Sequence, residues 1–371
     1  MARRLCGEDS YPAPLLAVAG HGIRGTTRPF PDVPLADEAW SALLTTAKAN
    51  RVLGQLRAAV DTGRLPVTDE QRQQARGAHR AVLLRVLSLE QHLVSLHEVL
   101  DGIDCRVLKG SAYAHLDYPE PALRSFIDLD LLFRPADIER AVTVLSDAGF
   151  TRTLAEPRPG FDRRFDKGTT LRGNRFEIDL HRTFVLGPWG VRVNLDELWD
   201  AGSEFVIGGR TLVALSRPNR FLHACYHAAL GDWPLRLGSL RDVAQLLPDS
   251  LDVVDRARAW GVQAVVAAAV ADATRLIGLP STSPLQDWAA SYVPTRREEQ
   301  WLGLHTQAEK TFAAQAIATL PVLPGVRNKA AYLRALIMPD VRYTAGRHAS
   351  ALSRFRFGVR EALRGRGKSA G

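Results

Sequence analysis

The sequence predicts an α+β protein, a mixed sheet with flanking helices set between N-terminal and C-terminal helical regions, and three observations carry that reading. Between residues 34 and 100, Leu43, Leu44, Ala47, Val52, Leu53 and Leu56, then Val82, Leu83, Val86, Leu87, Leu89, Leu93, Leu96 and Leu100, recur at three- and four-residue steps. That is the period of helices that bury one side. From 101 to 215 the pattern becomes short extended runs in which apolar and polar residues alternate, the period of strands. After Ser216-Arg-Pro218 helical spacing returns, broken near Pro248, Gly261, Pro280, Pro294, Pro321, Pro324 and Pro339.

Taken in order, residues 1–33 hold Pro12, Pro14, Gly20, Gly22, Gly25, Pro29 and Pro31. These residues punctuate any helix, so a loosely structured lead-in with one short helix is expected. The N-terminal helical region follows over 34–100. In the 101–215 core, a strand over Cys105 to Leu108 runs into a Lys-Gly-Ser turn and a helix from Ala112 to about Tyr118. A strand over Ile127 to Phe133 precedes a helix from Pro135 to Ala148, which Gly149 closes as a C-cap. Extended segments are expected over Phe150 to Leu154, Phe165 to Leu171 and Phe176 to Phe184, and a hairpin over Phe205 to Leu215 turns at Gly208-Gly209. Residues 216–371 form the C-terminal helical region with a basic tail. No internal repeat of fixed period is present.

Composition narrows the functional classes. Hydrophobic residues at 46% and charged residues at 24% of 371 are those of an ordinary soluble globular protein. Cys6, Cys105 and Cys225 are isolated thiols without Cys-x-x-Cys spacing, which indicates neither a zinc site nor a disulfide framework and fits a reducing cytoplasm. Leu15-Leu-Ala-Val-Ala19 is too short for a signal peptide and follows Glu8 and Asp9; the apolar tract Ala264 to Ala271 ends at Asp272, far below membrane-spanning length. A cytoplasmic protein with no membrane partner is expected. Of the net charge of +8, most sits in the tail, where eight Lys/Arg between Arg342 and Gly371 face the single acid Glu361. Such a segment reads as a solvated helix with a frayed end, or as one that tracks a phosphate backbone and so permits RNA as a partner.

The chemistry concentrates in Phe126-Ile-Asp-Leu-Asp-Leu-Leu-Phe133. On a strand, the period of two places Asp128 and Asp130 on one face and Ile127, Leu129, Leu131 and Phe133 on the other. Two carboxylates so close need a cation between them, and hard oxygen ligands suit Mg²⁺, or Mn²⁺, carrying a polyphosphate. An isolated Asp-x-Asp arises from composition alone; its surroundings single this one out. Upstream, Arg106-Val-Leu-Lys-Gly-Ser111 offers a turn where Gly110 lets the backbone approach a phosphate and Ser111 adds a hydroxyl. Lys109 and Arg124 are the nearest cations and suit phosphate oxygens. Downstream, Arg175-Phe-Glu-Ile-Asp-Leu-His-Arg182 alternates so that Glu177, Asp179 and His181 share a face. His223 and His227 have the i, i+4 spacing of metal ligands but no third ligand nearby in sequence.

A Gly-Ser turn, an Asp-x-Asp strand and one more acidic residue on a neighbouring strand resemble, in that order, the active sites of DNA polymerase β-like nucleotidyltransferases. Leu108-Lys-Gly-Ser-Ala112, Tyr118, Arg124, Asp128-Leu-Asp-Leu-Leu132, Leu145-Ser-Asp-Ala-Gly-Phe150 and Glu177-Ile-Asp-Leu-His181 more closely resemble a bacterial family described as uncharacterised nucleotidyltransferases. The resemblance is tight over residues 90–182 and looser through Leu222-His-Ala-Cys-Tyr-His227 and Leu240-Arg-Asp-Val243. It departs from most polymerase-like enzymes in the longer spacing between Gly110-Ser111 and Asp128. The resemblance implies a polymerase β-like core that moves a nucleoside monophosphate from an NTP such as ATP to a hydroxyl or phosphate of a small molecule or peptide. Asp128, Asp130 and Asp179 would hold two Mg²⁺ or Mn²⁺ ions, with Asp179 also taking the acceptor proton. His181, on the face of Asp179, would either orient a ligand or be a hydrogen-bonded structural histidine. Asp242 would either touch substrate or sit in a buried polar network, and the appended helices would face the sheet across a cleft. Transfer to RNA, kinase-like γ-phosphoryl transfer and a non-catalytic nucleotide- or partner-binding module are the competing classes.

Overall fold

A computed structural model of the chain describes Leu5 and residues 10–173, 176–231, 233–248, 250–306 and 312–344. Four helices lead in: α1 (Ala13–Gly20), α2 (Asp37–Ala49), α3 (Leu53–Asp61) and α4 (Asp69–Val99). The 31-residue α4 starts at a capping box in which the Thr68 hydroxyl accepts from the Gln71 amide while the Gln71 side chain accepts from the Thr68 amide, so two end donors are satisfied at once. The sequence led to a loosely structured lead-in, yet α1 is core. Leu15 to Gly20 are buried, packed against helices near 240 and 270, because Ala13-Pro-Leu-Leu-Ala-Val-Ala-Gly20 is apolar on every side and needs cover all round.

The sheet comes next: β1 (Cys105–Val107), α5 (Gly110–Leu116), β2 (Leu129–Phe133), α6 (Ile138–Asp147), β3 (Thr151–Arg152), α7 (Phe161–Arg164), β4 (Gly168–Arg172), β5 (Glu177–His181), α8 (Pro188–Val191), β6 (Ser203–Ile207) and β7 (Arg210–Ala214). Its seven strands run in the order β3-β4-β5-β2-β1-β7-β6. The central strand β2 is parallel to β5 and antiparallel to β1. One buried and one polar face was expected of it, but all five of its residues are buried. Ile127, expected on the buried face, lies before the strand at 51% exposure. A central strand is covered on both sides, so alternation in its sequence marks function and not solvent. The β6–β7 hairpin turns at Gly208 and Gly209, both at positive φ (56° and 77°), as a two-residue turn matching strand twist requires. Gly149 (φ 91°) follows α6 as expected.

The rest is helical: α9 (Arg217–Tyr226), widening into a π-helical turn over His227–Gly231, then α10 (Leu237–Leu246), α11 (Asp252–Trp260), α12 (Gln263–Ile277), α13 (Pro284–Ser291), α14 (Arg296–Gly303), α15 (Phe312–Thr319), α16 (Gly325–Ile337) and α17 (Val341–Thr344). The apolar α12 is the axis of this region, with Ala264 to Val270 buried against α9, α10 and α13. A second, smaller cluster of Phe161, Phe165, Tyr332 and Ala335 ties α16 to α7 beside the sheet. Among the described residues no helix is long and apolar enough to cross a membrane. Most of the basic tail, with Cys6 and Arg175, lies outside the described residues.

Candidate active site

Strand register builds the site. On parallel neighbours β2 and β5, Asp130 is the partner of Asp179 and Leu132 the partner of His181, so two carboxylates and an imidazole converge. The His181 ring sits between two acceptors. Its Nδ1 is 3.2 Å from the Thr183 carbonyl oxygen and its Nε2 2.8 Å from Asp130 Oδ1. A carbonyl and a carboxylate each only accept, so the ring is held with one nitrogen turned to each of two acceptors. Asp179 is half-buried and accepts from the hydroxyl of Thr170, its register partner on β4. Asp130, Asp179 and His181 each offer a ligand atom within 4.8 Å of the others.

Lys109 reaches the same place from the β1–α5 turn. Its backbone takes φ 30°, Gly110 follows at φ 43°, and the Arg124 guanidinium donates to the Gly110 carbonyl at 3.3 Å. A lysine at positive φ is strained, and here the strain aims the side chain inward. Lys109 Nζ lies 2.9 Å from Asp128 Oδ2 and 3.0 Å from Asp130 Oδ2. Burial works against the ammonium, but Asp130 and Asp128 outweigh it and hold its pKa above the usual lysine range. Burial likewise works against the Asp130 carboxylate, and Lys109 and His181 overcome it, keeping that pKa well below the usual range. Asp128 is more open, with its side chain 37% exposed. Its Oδ1 is buried without a hydrogen-bond partner.

These groups face a cavity of about 320 Å³. Asp128, Asp130, Asp179 and His181 line it together with the cations Lys109, Lys167, Arg51 and Arg236. Phe184, Val185, Leu186, His223 and Tyr226, with His227, Leu230 and Gly231 of the π-helical turn, and His305 and Gln315 complete the lining. Widened turns of this kind expose side chains that a regular helix would turn away. Arg51, Lys167, Arg236 and His305 were not among the residues the sequence singled out. No local motif marks them, because each reaches the cavity only through long-range packing. Lys167 Nζ is 3.9 Å from Asp179 Oδ2.

Other expected contacts fall elsewhere. Arg124, expected to meet phosphate, is buried and forked onto Asp242, Nε to Oδ1 at 2.8 Å and Nη2 to Oδ2 at 2.6 Å, and Tyr118 donates to the same Oδ1 at 2.8 Å. The structure thus places Arg124 and Asp242 together in a buried polar network, and neither is among the residues that line the cavity. Gly110 and Ser111 are also buried, behind the lining and not in it. Their surroundings are the reason: a Cβ on Gly110 would touch the Phe126 ring at 3.4 Å, and Ser111 is 1% exposed. His223 is kept neutral by burial and by the neighbouring charges of His227, His181 and Lys109, and its Nδ1 is 2.8 Å from the Tyr113 hydroxyl. Among the described residues it joins no three-ligand group.

The donor set fits a divalent ion. Asp130 and Asp179 supply carboxylate oxygens and His181 an imidazole nitrogen whose other nitrogen faces a carbonyl, the usual support of a ligating histidine, and Asp128, outside that group of three, adds to the same cavity a buried carboxylate oxygen with no hydrogen-bond partner. No curated protein matches the chain. The family model described as uncharacterised nucleotidyltransferase matches residues 36–278, a stretch that contains every carboxylate of the cavity and runs from α2 to the end of α12.

Proposed function

The chain belongs to the uncharacterised nucleotidyltransferase family, and from that premise we propose that it is a Mg²⁺- or Mn²⁺-dependent enzyme that transfers a nucleoside monophosphate from an NTP to a hydroxyl or phosphate of a small molecule or peptide. The observation that carries this reading is that Asp130 and Asp179, register partners on two adjacent strands, and Asp128, just before the first of them, all line one cavity that also holds cationic side chains.

Asp128, Asp130 and Asp179, with His181 Nε2, are the residues that would hold the metal. When bound, the metal neutralises phosphate oxygens and eases deprotonation of the acceptor hydroxyl. The acceptor oxygen forms a bond to the α-phosphorus as the bond to the bridging oxygen breaks, and pyrophosphate leaves. Asp179, half-buried and held by Thr170, would take the acceptor proton. Asp130, fixed between Lys109 and His181, anchors the charge at the centre. Lys109, Lys167, Arg51 and Arg236 meet the phosphates, and the lining from Phe184 to Leu186 with His305 and Gln315 limits water. A cavity of about 320 Å³ is at the small end for ligand sites. The free thiols of Cys105 and Cys225 support a reducing cytoplasm.

The test is product identity. The full chain with each NTP, Mg²⁺ or Mn²⁺ and candidate acceptors should release pyrophosphate and add a nucleoside monophosphate mass to the acceptor. Release of nucleoside diphosphate would assign it to kinase-like transfer instead, and binding without turnover would make it a binding module.

A further inference from the structure

We propose that Lys109 is the resident counter-ion of the carboxylates that line the cavity, and that by competing with the metal it makes the site accept a divalent ion only together with a polyphosphate. This rests on the metal-dependent reading above and goes beyond it by assigning the order and coupling of ligand entry to one side chain.

Lys109 Nζ touches Oδ2 of both Asp128 and Asp130, at 2.9 and 3.0 Å, and these are oxygens that a metal would need. The lysine side chain is 10% exposed and that of Asp130 2% exposed, so an ammonium that leaves must find another partner or remain unpaired in a low-dielectric cavity, which is costly. A free divalent ion offers no such partner. It takes the carboxylates and adds a second positive charge a few ångströms from the ammonium, in a cavity that Lys167, Arg51 and Arg236 also line. A metal carrying phosphates satisfies both groups, since the carboxylates gain the metal and the ammonium gains phosphate oxygens. The turn cannot move to relieve the conflict, because Arg124 pins the Gly110 carbonyl and is itself clamped by Asp242.

The sign of one measurement separates this role from the alternatives. A lysine that only binds phosphate leaves the affinity for free metal unchanged when it is removed, and one that only supports the fold alters neither metal nor nucleotide binding specifically. Mn²⁺ binding to the full chain is followed by electron paramagnetic resonance, alone and with an α,β-methylene NTP analogue that does not turn over. Lys109→Met and the near-isosteric Lys109→Gln should bind free Mn²⁺ about tenfold or more tightly than wild type, as expected for loss of a unit charge next to the ion, and the Mn²⁺–analogue complex about tenfold or more weakly. Lys109→Arg, which keeps the charge, should retain the weak free-metal affinity of wild type. In the wild type itself, Mn²⁺ and the analogue should each tighten the other beyond their complex in solution, a readout that needs no variant to fold. Equal or weaker free Mn²⁺ binding in the Met and Gln variants, or independent binding of metal and analogue to wild type, overturns the role of Lys109 and leaves the metal reading standing. Absence of Mn²⁺ binding to every form, with and without the analogue, overturns both.

Discussion

Asp130 is a carboxylate that burial would neutralise and two neighbours keep charged. Lys109 and His181 hold its pKa well below the usual range, so it stays an anion where an anion is needed. Asp130→Asn keeps the shape and removes the charge, and turnover measured by pyrophosphate release should fall about 100- to 1,000-fold, the range seen when one preorganised charged contact to a transition state is lost. Circular dichroism should be unchanged. Asp162 on α7 has the opposite balance. Burial, with Asp166 and Glu156 nearby, outweighs its contact with Arg152 and lifts its pKa to about 7. The folded state therefore binds a proton that the unfolded chain, titrating near pH 4, releases. The stabilisation is complete below about pH 4 and is lost as pH rises toward 7. Urea titrations of wild type should show stability falling by about 2 kcal/mol between pH 5 and 7.5, and Asp162→Asn should flatten that slope.

Among the elements, the β1–α5 turn depends on α10. Asp242 of α10 clamps Arg124, and Arg124 donates to the carbonyl of Gly110, so the conformation that aims Lys109 is fixed by a helix more than a hundred residues away in sequence. Asp242→Ala would leave a buried guanidinium unpaired, and urea unfolding should show a loss of about 3–5 kcal/mol. The β6–β7 hairpin needs no such help. Gly208 and Gly209 set its turn locally, which is why sequence alone placed it. Strand β2 is the contrary case, since its sequence marks Asp130 as a residue that needs a cation, while the partners it meets, Lys109 and His181, come from other elements.

Across the whole molecule, helices from both ends complete what the central sheet begins. Helix α1 lies outside the matched 36–278 stretch, yet it is buried against α10 and α12, where Arg241 donates to the Ala19 and His21 carbonyls at 2.6 and 2.7 Å. Leu16, 3% exposed, should cost about 2–4 kcal/mol when changed to Ala, measured by the same urea titration. At the other end, His305 and Gln315 contribute to the lining of the cavity, and Tyr332 of α16 stacks on Phe161 with ring centroids 5.8 Å apart.

The sequence by itself determined the class of fold, the hairpin and most helices, and marked the Asp-x-Asp segment, because hydrophobic period, turn glycines and the spacing of two aspartates are local properties of the chain. Only the tertiary structure decided that Asp130 lies beside Asp179, that Lys109 sits between two aspartates, that Arg124 belongs to Asp242, and that Arg51, Lys167, Arg236 and His305 share the cavity. Those pairings join segments separated by tens to hundreds of residues. A buried charge takes whichever partner packing brings within reach, and no short-range pattern encodes which partner that will be.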